Sequence, residues 1–536
     1  MSPPPERPPA RKRVTLLALC LAAFIISLDV TIVNVALPTL VRQTGATTTG
    51  LQWIVDAYNL VFATLVLVAG SLSDRLGRKG MLLAGLGVFG AASLAGSFCV
   101  SAGQLIGARA VMGLGAAMMF PATLSLLTNV FTGRGERAAA IGLWGATTGV
   151  GIATGPIVGG WLLERFWWGS IFLFMAPVAA GVAALAAWAV PTSRDPGTPP
   201  PDWRGLILSA AGMGILVLAI IQAPAWGWNS TRTIGALAVG VALLAAFVIA
   251  EGRIAHPMLD ITLFRNPRFT AASGSVAIAF FALNGFIFLM TQYFQVVKGF
   301  GPLSTGVRLL PVAGSVAVAS VLGTRLAVRI GNKIIVGGGS ALFAAALLWI
   351  STVSQATSYG VIVAQMIVFG TGMGLTQAPA TEAIMGAVPK EKAGVGSAVN
   401  DATRLFGGTL GVAVIGSVAA SLYTTRLSAT LPAGLPAQAI TAARGSVGGA
   451  VIVARKASQA GLAQLGSRLN DAAILAFLHS LAGGCLVAGG VAAAGALVAG
   501  FLLPARPSDP PTAARLPAAT HSPPARTPEG DDAQAL

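Results

Sequence analysis

The sequence predicts an all-α integral membrane protein. Two bundles of six transmembrane helices would carry two extra helices between them, fourteen crossings in all. Three observations predict it. The chain of 536 residues is 55% hydrophobic and only 10% charged, whereas a soluble domain carries about 25% Asp, Glu, Lys and Arg. Its apolar residues fall in long runs, and about 20 such residues cross the hydrocarbon core as a helix. A loop sequence of the first half recurs in the second. The composition excludes an ordinary cytosolic enzyme, which could not clothe its surface in charge, and excludes disorder, which needs the opposite balance. Lipid offers the backbone no hydrogen bonds, and these runs are too long and continuous for alternating barrel strands, so each is a helix.

Residues 1–13 are Pro-rich, then basic, and read as a flexible N-terminus. The run 14–38 follows Arg11, Lys12 and Arg13, as a signal peptide would. It is long, contains Asp29 and precedes no small-residue cleavage site, so it reads as a retained helix. Runs 52–72, 80–100, 104–130, 138–161 and 170–190 complete a first bundle, 14–190. The linker 191–268 holds two further helices, 204–223 and 233–250. Runs 269–294, 305–329, 334–353, 358–383, 394–422 and 474–502 make a second bundle, 269–502. Its loop 423–473 is rich in Ala, Gly and Ser with scattered Arg, and is expected outside the cell as short amphipathic helices. The Pro-rich tail 503–536 has no apolar periodicity and is expected to be disordered.

Orientation follows from charge. With a cytoplasmic N-terminus, most of the 34 Lys and Arg fall inside, and the short outer loops carry only Arg42, Arg165, Arg232 and Lys298. That is the positive-inside pattern, and an even number of crossings returns the C-terminus to the cytoplasm. Trp53, Trp167, Trp168, Trp226 and Trp228 mark the outer boundary, Trp188 and Trp203 the inner one. The net charge of +16 is therefore topological, and no nucleic-acid recognition module accompanies it. Cys20, Cys99 and Cys485 lie in apolar runs and read as small hydrophobes.

The recurring loop reads GSLSDRLGRK at 70–79 and TRLAVRIGNK at 324–333. Leu72, Arg75, Gly77 and Lys79 recur as Leu326, Arg329, Gly331 and Lys333, while Asp74 becomes Val328. Parallel repeats of six helices are one construction of secondary transporters. Gly70 permits close approach of a neighbouring backbone. Asp74 can pair with an Arg or meet a helix N-terminus across the two halves, a network that would hold one conformation and break in another. A tight turn with inside-positive charge explains the loop equally well.

Gly70 to Lys79 resembles the cytoplasmic loop signature of the major facilitator superfamily. The run LDVTIVNVALP, from Leu28 to Pro38, resembles the first-helix signature of its fourteen-helix drug/proton antiporter branch. Arg109 with Gly113 and Gly115 resembles the fourth-helix motif, and GIATGPIVGG, from Gly151 to Gly160, the fifth-helix motif associated with antiporters. PATEAIMGAVP, from Pro379 to Pro389, and NDATRLFGG, from Asn400 to Gly408, are similar to the same branch. The resemblance spans about residues 14–502. It implies a major-facilitator-type fold, a cavity-facing Arg109 active in proton coupling, and a gating role for Gly70, Asp74, Arg75, Gly77, Arg78 and Lys79. The second-half loop departs from the pattern by lacking the acid, which makes any latch between the halves asymmetric.

Asp29 lies deep in the first run, where a charge costs several kcal/mol unless paired, hydrated or neutralised. Burial raises a carboxyl pKa, which suits a group that gains and loses a proton near neutral pH. Pairing with Arg109, or capping by Thr31 or Asn34, would instead make it structural. Asp56 is expected near the outer end of its helix, within reach of water. Glu382 sits at the cytoplasmic end of its helix beside Lys390 and Lys392. Asp401 and Arg404, three apart, share a helix face and either satisfy each other or border the substrate path. Arg308 reads as structural. Gly151, Gly155, Gly159 and Gly160 allow close helix packing and Pro156 a kink, so this stretch can seal or bend as the protein switches.

No phosphate-binding loop, HExxH, paired CxxC or serine elbow is present. GLGVFG, from Gly85 to Gly90, matches a dinucleotide pattern but has no strand before it. His256, His479 and His521 are too scattered for a metal site. The expectation is a monomeric plasma-membrane exporter, not an enzyme, using no cofactor and driven by the proton gradient. Its substrates would be drugs, antibiotics or other amphipathic molecules. The alternatives are a proton-coupled uptake symporter and a non-transporting sensor or scaffold.

Overall fold

The computed structural model describes residues 9–195, 201–254, 257–388 and 393–503. Residues 1–8 of the expected flexible N-terminus, the tail from 504 onward, His256, Lys390 and Lys392 lie outside them. Fourteen helices among the described residues are long and apolar enough to cross a membrane.

The first six are α1 (Pro9–Thr44), α2 (Thr48–Leu76), α3 (Arg78–Ser97), α4 (Ala102–Val130), α5 (Arg134–Arg165) and α6 (Ser170–Ala189). Then come α7 (Trp203–Trp226) and α8 (Thr231–Glu251). The second set is α9 (Pro267–Gln292), α10 (Pro302–Arg308), α11 (Leu310–Ile330), α12 (Asn332–Ile350), α13 (Tyr359–Ala387) and α14 (Ala393–Thr430). Two short helices, α15 (Ala437–Gly445) and α16 (Val447–Gln459), precede α17 (Ala463–Leu502). α1 starts and α17 ends on what we call the terminal face; the opposite face is distal.

Local chemistry sets these limits. Thr47, Ser101, Asp202 and Ser230 accept a backbone N–H of the first turn of α2, α4, α7 and α8, the usual N-cap bond. Gly77 ends α2 at φ +128° and begins α3, and Gly331 does the same between α11 and α12 at φ +92°. The loop repeat is thus also a repeat of geometry, since both turns need a residue without a Cβ. It runs further than the sequence comparison found. A Cβ on Gly115 would meet the Phe89 backbone, and one on Gly372 the Phe343 backbone; Gly85 and Gly339 approach the same partner helices. Helix packing repeats too: α2 on α4 matches α11 on α13, and α1 on α5 matches α9 on α14.

Three elements differ from expectation. The run expected as one helix from 305 is two, broken at Leu309, with Pro311 in the first turn of α11. α9 ends in one turn of π-helix, Tyr293–Val297. The expected outer loop 423–473 is shorter, because α14 runs on to Thr430 and α17 starts at Ala463. The hairpin of α7 and α8 lies against both bundles. Met213, Val217, Ile220 and Ile221 of α7 cluster with Ala413 of α14 and with Trp53 and Leu60 of α2, while α8 is mostly exposed.

Among the described residues, the hydrogen bonds joining the two bundles lie toward the distal face. Gln52 of α2 reaches α14, Gln295 reaches the Val35 carbonyl of α1, Thr48 reaches the Gly445 carbonyl, and Leu303 N–H reaches Glu164 of α5. The molecule is closed there.

Candidate functional site

Two opposite charges meet in the apolar core of the first bundle. Arg109 of α4 donates from Nη1 to Asp29 Oδ2 of α1 at 2.5 Å, and from Nε to the Ile54 carbonyl of α2 at 3.1 Å. Its guanidinium lies 4.3 Å from the centre of the Tyr58 ring. Asp29 is 0% and Arg109 1% exposed. The pair resolves the cost of each charge, since a lone ion there is far worse than a bonded pair. Asp29 Oδ1 nevertheless has no partner. Of the alternatives for Asp29, pairing with Arg109 is realised. Asn34 does not cap it: its Nδ2 donates to the Val30 carbonyl of its own helix.

Asp56 corrects the sequence reading. It was expected in reach of water, yet it is 0% exposed and both carboxyl oxygens lack a hydrogen-bond partner. Trp53 and Leu60, three residues before it and four after, pack into the α7–α14 cluster. Helix spacing puts Asp56 near the same side. Position along α2 was legible; the packing of that side of α2 on α7 and α14 was not.

Two seams carry the glycine stretch of α5. On one side a Cβ on Gly151 would stand 2.8 Å from the Phe24 carbonyl oxygen, and Gly155 and Gly159 face Leu28, Thr31 and Ile32 of α1 in the same way. Thr31 donates to the Ile152 carbonyl across this seam. On the other side Gly160 abuts the Leu303 backbone, and Gly306 of α10 abuts the Pro156 carbonyl. α5 therefore joins its own bundle through one face and closes the distal side against the other bundle through the next.

In the loop 70–79, Asp74 Oδ1 accepts from Arg78 Nε at 2.6 Å and from Ser125 of α4 at 2.9 Å. Arg78 N–H bonds the Ser193 carbonyl, Asp195 N–H bonds the Asp74 carbonyl, and Lys79 reaches the Ala187 carbonyl. Gly70 lies against Pro121, and Arg75 is exposed. Among the described residues these partners belong to the first bundle and the segment after it, and none of these bonds joins the loop to the second half in this conformation. Sequence reasoning missed the 190–195 segment, whose role rests on backbone atoms that carry no sequence signal. In the second bundle Arg404 lies 3.9 Å from Asp401, bonds Thr381, and stands 5.5 Å from the Phe280 ring centre. The neighbouring Glu382 is exposed. Arg308 sits over the Phe300 and Tyr359 rings at 4.1 and 5.2 Å. Nearby Lys298 donates to the Gln355 and Thr357 carbonyls, and burial lowers its pKa.

The arrangement offers protonatable acids beside a closed seam. The family model "Major Facilitator Superfamily" matches residues 19–412. The chain is 36% identical over 464 residues to the multidrug efflux pump LfrA of Mycolicibacterium smegmatis, covering 87% of this chain and 92% of that one. It is 33% identical to the tetracenomycin C resistance and export protein of Streptomyces glaucescens, covering 76% of each. It is also 33% identical to the methyl viologen resistance protein SmvA of Salmonella typhimurium, covering 88% of this chain and 94% of that one. Among solved structures, a bacterial homologue of the human lysosomal transporter Spinster, captured inward-facing, superposes with a TM-score of 0.67 at 16% identity, covering 94% of this chain and all of that one.

Proposed function

The chain belongs to the Major Facilitator Superfamily, and from that premise we propose that it exports amphipathic, often cationic, organic molecules in exchange for protons. One observation carries the reading. Asp29 and Asp56 are buried in α1 and α2, helices of the distal closure, and three of their four carboxyl oxygens have no partner. Such oxygens are satisfied by a proton, and a proton taken or lost there changes the charge beside the seam.

The terminal face is cytoplasmic on this reading, because it carries most of the basic residues. The conformation closed at the distal face is then the one open to the cell interior. Two bundles alternate around a central cavity, and only a difference in affinity between the two states drives the cycle. Asp29 bound to Arg109 is the first carrier and Asp56 the second. Asp401, Arg404 and Glu382 border the path in the second bundle, and the loop 70–79 with its 190–195 strap steadies the terminal ends. The molecule works as a monomer in the cell membrane, with no cofactor besides the proton gradient. The relatives' names, which speak of efflux, resistance and export, favour this reading over uptake.

Reconstituted protein tests it. With an imposed pH gradient, a fluorescent lipophilic cation moves against the proton flow, and Asp29→Asn abolishes the gradient-driven part. Absence of flux under the gradient would return the chain to a sensor or scaffold, and movement with the protons would make it a symporter.

A further inference from the structure

One amide of the distal seam is buried with only its donor end in use. Gln52 of α2 is 0% exposed. Its Nε2 donates to the Val412 and Ala413 carbonyls and to Ser417 Oγ of α14 at 3.1, 3.0 and 3.1 Å. The α14 surface is cut to admit it, since a Cβ on Gly416 would stand 2.6 Å from Nε2. The other end of the amide is bare: Oε1 is buried and has no donor. One turn further along α2 is Asp56, with two buried oxygens equally bare. Helical side chains lean toward the N-terminus, so a carboxyl at position 56 reaches back over the turn that holds Gln52. Gln followed four residues later by Asp is a hydrogen-bonding pair on a helix surface.

We propose that Gln52 is the positioning residue that couples the proton on Asp56 to closure of the distal seam. This rests on the reading of the chain as a proton-driven exporter. One proton on Asp56 resolves two of these three bare oxygens, the one that carries it and the amide oxygen that accepts from it. Protonated Asp56 donates its O–H to Gln52 Oε1, which fixes the amide with Nε2 toward α14. When that proton leaves for water at the cytoplasmic opening, Asp56 becomes an acceptor only and repels Oε1. The amide then turns its Nε2 to the carboxylate, and Val412, Ala413 and Ser417 lose their donor. The bundles can part at the distal face. Among the described residues, no cation bonds Asp56. Arg109 on α4 is held by Asp29 and the Ile54 carbonyl, the α7 side is Met213, Val217, Ile220 and Ile221, and Arg404 of α14 is held by Thr381 and Asp401.

The test measures distal separation in the full-length protein in nanodiscs, by electron–electron distance between spin labels at Gln43 and Ser428, as pH is raised. Wild type should pass from closed to open. Asp56→Asn, whose amide donates as the acid does, should stay closed throughout. Gln52→Met should flatten the pH response, and Ser417→Ala should shift the open-to-closed ratio toward open by roughly fivefold, the worth of one neutral hydrogen bond. A Gln52→Met variant that opens along the wild-type pH curve overturns the inference, because a merely structural Gln52 would change the extent of closure and not its pH dependence. If Gln52→Met does not fold, an unshifted Ser417→Ala curve overturns it instead. Failure of the wider reading looks different: wild type itself shows no pH-driven opening and no proton-linked flux.

Discussion

Arg109 is enclosed by the Asp29 carboxylate, the Ile54 carbonyl and the Tyr58 ring, and this asymmetry predicts unequal mutants. Removing either partner breaks a buried pair, a loss of about 3–5 kcal/mol, and Arg109→Leu also removes the bond to the Ile54 carbonyl and the contact with the Tyr58 ring. Asp29→Asn keeps an acceptor for Arg109 and leaves the cation with its other two contacts. Arg109→Leu should therefore lower thermal stability in detergent well below that of Asp29→Asn, while both abolish pH-driven flux. Equal melting temperatures would show that Asp29 already carries its proton. Both residues were legible in the sequence, because a charge inside an apolar run is costly wherever its partner stands. Asp56 was legible as an acid and not as a buried one. Helix spacing sets it between Trp53 and Leu60, which pack on Met213 and Val217 far along the chain, and no local pattern announces such a neighbour.

A helix that must close against two partners leaves its mark on element scale. α5 meets α1 through Gly151, Gly155 and Gly159, and α10 through Gly160. Gly155→Leu should disrupt the first bundle itself and reduce folded yield. Gly160→Leu should leave the bundle folded and hold the distal face open, since Leu303 backbone occupies the place of the new side chain. Folded yield and distal spin-label distances separate the two. The glycine stretch was readable as a packing device; which glycine served which seam was not, because rotation of α5 depends on both bundles. The turn at Gly77 shows the same limit. Asp74→Asn weakens the Arg78 bond and keeps the Ser125 bond. It should slow turnover by several-fold with little change in substrate affinity, and unchanged turnover would reduce that loop to a topological turn. The α7–α8 hairpin is fastened by Glu251, 2% exposed, whose Oε2 accepts from Leu259 N–H while Oε1 and Asp202 Oδ2 share the space above Gly205 with no donor between them. Glu251→Gln supplies that donor, so it should raise the melting temperature, and more so at alkaline pH, where wild type must hold two charges together.

At the scale of the whole molecule, a transporter of this architecture must part the contacts that now close it. Fourteen crossings and their repeat were legible, because apolar length and a recurring loop are properties of the chain alone. The closed face was not, since it depends on how two bundles lean. A cross-link tests the need for parting directly. Thr47 caps α2 in the first bundle, and Gly445 ends α15 beside the second. A Cβ built on Gly445 stands 3.8 Å from the Thr47 Cβ, the mean separation found in disulfides. Cysteines at both positions should therefore bond on mild oxidation without moving the backbone. The native Cys20 and Cys485 are buried and do not compete, and the partly exposed Cys99 is changed to Ser in the same protein. Transport should stop on oxidation and return on reduction, while substrate binding from the terminal side persists, because only the opening at the distal face is barred. Undiminished flux through the oxidised protein would mean that α15 travels with the first bundle, and that the parting surface runs elsewhere.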